Sequence, residues 1–119
     1  NILATLLQDT NRLAEAEPLM RRALAIDEAS YGTSHPNVAL RQLCIGDLLQ
    51  AKGNLVEAEP YIRTAVQTFL SFTRDTGHQH AHLMGALKNY GGLLMAMGDT
   101  QEQAREKIRA VMAPFGMSI

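Results

Sequence analysis

The chain has 119 residues, 46% hydrophobic and 19% charged, which suits one globular domain burying about 65% of the surface its unfolded chain exposes. Eleven Lys and Arg against twelve Asp and Glu leave a formal charge of −1, without the clustered basic excess of a nucleic-acid surface. No apolar run approaches the roughly 20 residues of a membrane span, no basic segment opens a signal peptide, and the single Cys44 excludes an intrachain disulfide; a cytoplasmic protein with neither nucleic-acid nor membrane partners is expected.

The chain starts at Asn1, not Met, and enters a helical pattern at once with ILATLL, as a fragment of a longer protein would. The phrase LAEAEP at 13–18 then returns as LVEAEP at 55–60, 42 residues on, and a period in that range is the signature of a stacked-repeat protein. Asn11 pairs with Gly53, Ala16 with Ala58, Pro18 with Pro60, Arg21 with Arg63 and Ala23 with Ala65. GTSH at 32–35 answers GHQH at 77–80 at an offset of 45, so three extra residues must lie between Ala65 and Gly77. A weaker third copy runs from His80 to the end, with Ala104 in the place of Ala58 after one inserted residue.

Each copy reads as two helices. In copy one, Leu13, Ala16, Leu19, Met20, Ala23, Leu24 and Ile26 form one apolar face of the second helix. Pro36 suits the first position of the next helix, where its missing N–H costs nothing. Val38 to Leu49 then carries apolar residues on more than one stripe, so this helix should touch neighbours on several sides. Gly53 ends it in the left-handed conformation, and Asn54 with Glu57 reads as a capping box for the next helix, a device Asp99 and Glu102 repeat. Pro18 and Pro60 lie inside helices whose apolar period continues past both. The last helix spans about Thr100 to Ala113, before Pro114. Small residues (Ala4, Gly46, Gly91; Ala16, Ala58, Ala104) mark close helix contacts, and no copy can bury its apolar face alone.

On these phrases, LAEAEPLMRRALAID with YGTSHPNVA and LVEAEPYIRTAV, the chain resembles the tetratricopeptide repeat, in the long 42-residue form of kinesin light chains. The resemblance implies an all-α fold: an α-solenoid of about three helix-turn-helix repeats, at 1–34, 35–78 and 79–119, wound as a right-handed superhelix. It implies a non-catalytic module that binds a protein or peptide partner in the concave groove lined by the first helix of each pair, without cofactors. Carried over by position, the groove residues are Asn1, Thr5, Gln8, Leu43, Asp47, Gln50, Lys88, Asn89, Gly92 and Met95. The Asn pair of the kinesin-light-chain form stands here as Asn1-Ile2, Leu43-Cys44 and Lys88-Asn89, and only Lys88 matches the cations of the carboxylate-clamp form. The alternative is a structural spacer or self-association segment of a larger scaffold, because neither end has an obvious polar cap and an uncapped end invites homodimerisation.

Other chemistry is weighed against plainer roles. His78 and His82, four apart, have metal-ligand spacing if helical, with Asp75 as a third donor. His80, however, occupies the turn position of His35, and no metal is expected. Asp75-Thr76-Gly77 is one carboxylate where a protease dyad needs two. Cys44 has no partner base and reads as a small hydrophobe, and Arg21-Arg22 as a solvated face. Met84, Met95 and Met97 are weighed as an adaptable binding surface, with core filling at helical spacing the expected role. Gly91-Gly92 lacks the strand that precedes a dinucleotide loop, so no enzyme is expected.

Overall fold

The computed structural model describes residues 13–116, and all regular elements among them are helical. They are α1 (Leu13–Tyr31), α2 (Pro36–Ala51), α3 (Leu55–Thr76), α4 (Leu83–Ala96) and α5 (Gln101–Met112), followed by a 3-10 turn at Ala113–Phe115. Each helix packs on the next in sequence, and α3 also reaches α5. The short connections between α2 and α3 and between α4 and α5 make each pair an antiparallel hairpin. This is an α-solenoid, in which contacts run between successive layers and not across a closed bundle.

Helix lengths follow the sequence offsets. The first residues of α1 and α3 are 42 apart and their last residues 45 apart, so α3 has 22 residues against 19 and the three-residue insertion adds nearly one turn to its C-terminal end. Both helices run through their internal proline. At the far end of α3, Gly77 takes φ +73° and its N–H donates to the Thr73 carbonyl; Gly53, at φ +85°, turns the chain between α2 and α3.

Packing differs from one helix to the next for a simple reason of position. α2 lies between α1 and α3 and buries Val38, Ala39, Leu43, Ile45, Gly46, Leu48 and Leu49 around most of its circumference, as its several apolar stripes require. α3 contributes Ala58, Ile62, Ala65, Val66, Phe69 and Leu70, all fully buried, each large side chain stabilising the fold by about 1.5–3 kcal/mol. On α5, by contrast, only Ala104, Ile108 and Met112 are buried.

Four expectations need correction. On α1, Leu19 and Ile26 are exposed; the buried stripe runs through Ala16 and Met20, a spacing of four, and Leu19 and Ile26, seven apart, share a different line on the helix. Asn54 makes no side-chain cap, although its carbonyl accepts from the Ala58 N–H at 3.0 Å. The last box is shifted by one residue: Thr100 accepts from the Gln103 N–H and Gln103 from the Thr100 N–H, while Asp99 pairs with Lys107 at 2.8 Å. Met84, Met95 and Met97 are 56%, 50% and 41% exposed: Met84 and Met95 share a face of α4 over which no helix lies among the described residues, and Met97 follows the end of that helix.

The histidine segment is a turn. α4 begins only at Leu83, so His78 and His82 do not share a helix face. His80 Nδ1 accepts from the His82 N–H at 3.1 Å, just as His35 Nδ1 accepts from the Asn37 N–H at 3.0 Å one copy earlier. The His80 ring also rests 4.6 Å from that of Phe69 and meets the edge of Phe72. Burial there, reinforced by the neighbouring His82, holds the His80 imidazole below its ordinary pKa. Since the folded state disfavours its protonation, the contribution of His80 to stability is present above the unfolded value and lost as pH falls through the folded one. His80→Asn, which keeps an acceptor two residues before the same N–H, is expected to shallow the fall in Tm between neutral and mildly acidic pH; equal slopes in parent and variant would count against this role.

Candidate partner-binding surface

The first helices of successive pairs meet along one wall. Asn89 Nδ2 on α4 donates to Asp47 Oδ1 on α2 at 3.2 Å, joining residues 42 apart in sequence. Asp47 is exposed, yet the helices beside it withdraw enough water to raise its carboxyl above the ordinary value. Lys88, the residue before Asn89 on α4, is exposed and has no ion pair among the described residues. Gln50 is half-buried one turn past Asp47.

The other expected groove positions divide. Asn1, Thr5 and Gln8 lie outside the described residues. Leu43 belongs to the core at 9% exposure, packed as one of the aliphatic residues that α2 shares with its neighbours. Gly92 and Met95 line, with Lys88, a depression of about 340 Å³ between α4 and α5, whose other walls include Met84, Gly91, Ala104, Arg105 and Ile108. The positional carry-over misses Met84, Arg105 and Ile108 as surface-forming residues. A signal for them exists in the sequence: laid over copy two at an offset of 46, Arg105 falls on Glu59, a reversal of charge between packing residues that stay small or aliphatic.

A second set of polar contacts ties each hairpin to the one before. Arg21 donates to Glu17 at 3.1 Å and to the Tyr61 hydroxyl at 2.7 Å, and Lys52 donates to Glu17 at 2.8 Å. One copy later, Arg63 lies 3.3 Å from Glu59, and the Tyr90 hydroxyl donates to Glu59 at 3.1 Å. Burial first, and then the Glu59 charge, push the Tyr90 phenol up to about 12, so it remains a donor at any physiological pH. Among the described residues no group of three or more His, Cys, Asp and Glu is arranged to hold a metal, and no helix is long and apolar enough to cross a membrane.

With the five helices of the described residues stacked in sequence order and polar contacts recurring at one repeat's spacing, the architecture is that of a helical repeat protein. A family model of the tetratricopeptide repeat matches residues 1–71, and the chain belongs to that family. A search among curated proteins finds no match. Tetratricopeptide repeats are non-catalytic units that generally mediate protein–protein interaction.

Proposed function

We propose that the chain is a non-catalytic interaction module that holds an extended segment of a partner protein along the wall formed by α2 and α4, with Asp47, Gln50, Lys88 and Asn89 as its polar contacts. The observation that carries this reading is Asp47. Its carboxyl is exposed on the wall and accepts from Asn89 of the next first helix, and the loss of water there raises its pKa, as is common for groups at functional sites. With Lys88 on the next first helix, beside the Asn89 that bonds Asp47, the wall offers one charge of each sign and selects a segment carrying both. The 42-residue period, expressed in the matching starts of α1 and α3, supports placing the chain with the long, kinesin-light-chain-like form.

The test uses peptides selected from a random display library on the whole chain, with affinity measured by calorimetry. Asp47→Asn keeps the acceptor for Asn89 but removes the charge. It is expected to lose about tenfold or more in peptide affinity, the scale of one charge-assisted hydrogen bond. Its effect on folding should have the opposite sign. Folding raises the carboxyl's pKa, so Asp47 favours the folded state below the unfolded value and opposes it as pH rises through the folded one. Asp47→Asn should therefore raise Tm slightly at neutral pH. Arg22→Ala, on the exposed side of α1, serves as the control. Selected peptides that bind Asp47→Asn and the parent equally would rule this wall out.

A further inference from the structure

A cavity of about 420 Å³ lies where the end of α1, the N-terminal part of α2 and the turn before α4 converge. Tyr31 comes from α1, Leu40, Arg41 and Cys44 from α2, and His82 is the residue just before α4. The cavity continues the α2–α4 wall. Leu40, Cys44 and Asp47 follow one another on α2 at spacings of four and three, and His82 stands seven residues before Asn89, so both sets run along the lines that carry the Asp47–Asn89 bond. Seven residues are nearly two helical turns, which puts the cavity roughly 10 Å from that bond.

The charges in the cavity come as a balanced pair. Arg41 Nε donates to Asp27 Oδ2 at 2.8 Å, and neither side chain makes another hydrogen bond among the described residues. Both terminal nitrogens of the guanidinium and one carboxylate oxygen stay available, although the two side chains are only 35% and 17% exposed. These free atoms define what fits. An apolar occupant would strip water from donor and acceptor and pair with neither. A carboxylate would meet Arg41 but also face Asp27, and an ammonium would meet Asp27 but also face Arg41, a like charge in either case. A primary amide has a carbonyl oxygen and an NH2 on one planar carbon, so its oxygen accepts from Arg41 while its nitrogen donates to Asp27. Its aliphatic stem has Leu40 and Cys44, both half-buried, to lie on, beside a Tyr31 ring stacked on His35 at 4.6 Å.

We infer that this cavity anchors a glutamine or asparagine side chain of the bound segment, read by the outer atoms of the Asp27–Arg41 pair. The inference rests on the wall reading, because the same segment runs on to Asp47. An extended chain covers roughly 10 Å in about three residues, so the amide stands about three positions from the basic residue that meets Asp47.

The experiment uses the whole chain and peptides selected on it from a random display library. They should share a Gln or Asn about three positions from a Lys or Arg; without that pattern the anchor falls. One such peptide is then made with Gln, Glu, Lys or Met at the anchor position, Met having the length of Gln without its polar atoms. Calorimetry on the parent chain should find the Gln form about tenfold tighter than each of the others, the scale of a hydrogen bond to a charged group. Asp27→Asn, checked for helicity by circular dichroism, removes the charge that excludes a carboxylate and leaves Arg41 unpaired, so the Glu form should now bind more tightly than the Gln form. Equal binding of the four forms, a preference for Met, or an order of Gln over Glu that survives Asp27→Asn would overturn the anchor; should that variant lose helicity, the comparison on the parent decides alone. The two readings fail separately. Peptides weakened by Asp47→Asn but indifferent to the anchor residue overturn the anchor and keep the wall, whereas peptides that follow the Asp27→Asn switch but ignore Asp47→Asn do the reverse. A library that yields no binder overturns both.

Discussion

Phe69→Ala is expected to destabilise the chain by about 3–5 kcal/mol, a large share of the roughly 5–15 kcal/mol that holds a domain of this kind folded. Phe69 is fully buried and, among the described residues, is the bulkiest side chain so enclosed. It stands on α3, the helix that touches α2, α4 and α5, and its ring supports His80, whose Nδ1 caps the turn into α4. Truncation removes the transfer free energy of a phenyl ring and leaves a cavity that α3, held by Ile62, Val66 and Leu70 on the same face, cannot close by moving. The turn at 77–82 also loses its apolar support. Phe69→Leu keeps most of the volume and should lose far less, in the range of about 1.5 kcal/mol or below. Urea denaturation followed by circular dichroism separates these outcomes. An alanine variant within about 1 kcal/mol of the parent would mean that the layers on either side of α3 do not depend on this contact.

The position of Phe69 towards the end of the long helix is legible in the sequence, because the offset shift from 42 to 45 puts an insertion between Ala65 and Gly77. The same arithmetic gives the helix starts, and the alternation of Gly46 and Ala58 with aliphatic residues marks a close contact of α2 with α3. Exposure on the outer layers is not legible in this way. Met84 and Met95 recur at helical spacing, which marks one face of a helix but does not say whether another helix covers it. Position within the repeat puts Leu43 in the groove, yet a leucine flanked by α1 and α3 on an all-round apolar helix belongs inside. The capping residue slips from Asp99 to Thr100 because both have side-chain acceptors, and only geometry decides which one faces the free N–H groups.

Gly46 and Gly91 occupy the same register on α2 and α4, and alanine is expected to act with opposite sign at the two. In a helix interior, alanine is favoured over glycine by about 1 kcal/mol, through the backbone freedom that glycine loses on folding. At Gly46 that gain is overridden. A Cβ there would run into Ile62 Cγ1 and lie 3.0 Å from Ile62 Cδ1, with the Ala58 carbonyl oxygen at 3.5 Å. Ile62 is fully buried and branched at Cβ, so it has no rotamer into which to retreat, and α2 and α3 would have to separate along their most extensive contact. Overpacking costs about 1–3 kcal/mol, and a contact this tight with buried Ile62 belongs at the upper end of that range, so after the helical gain Gly46→Ala is net destabilised by up to about 2 kcal/mol. At Gly91 the nearest atom a Cβ would meet is Ile108 Cδ1 at 3.4 Å, the free end of a side chain bordering the open depression. Gly91→Ala should therefore keep most of the helical gain and unfold about 0.5–1 kcal/mol harder than the parent. Paired urea titrations give both signs in one experiment. If Gly46→Ala proved as stable as the parent, α2 and α3 would not approach as closely as the glycine implies, and the small-residue contact that sets the spacing of the solenoid's layers would lose its physical basis.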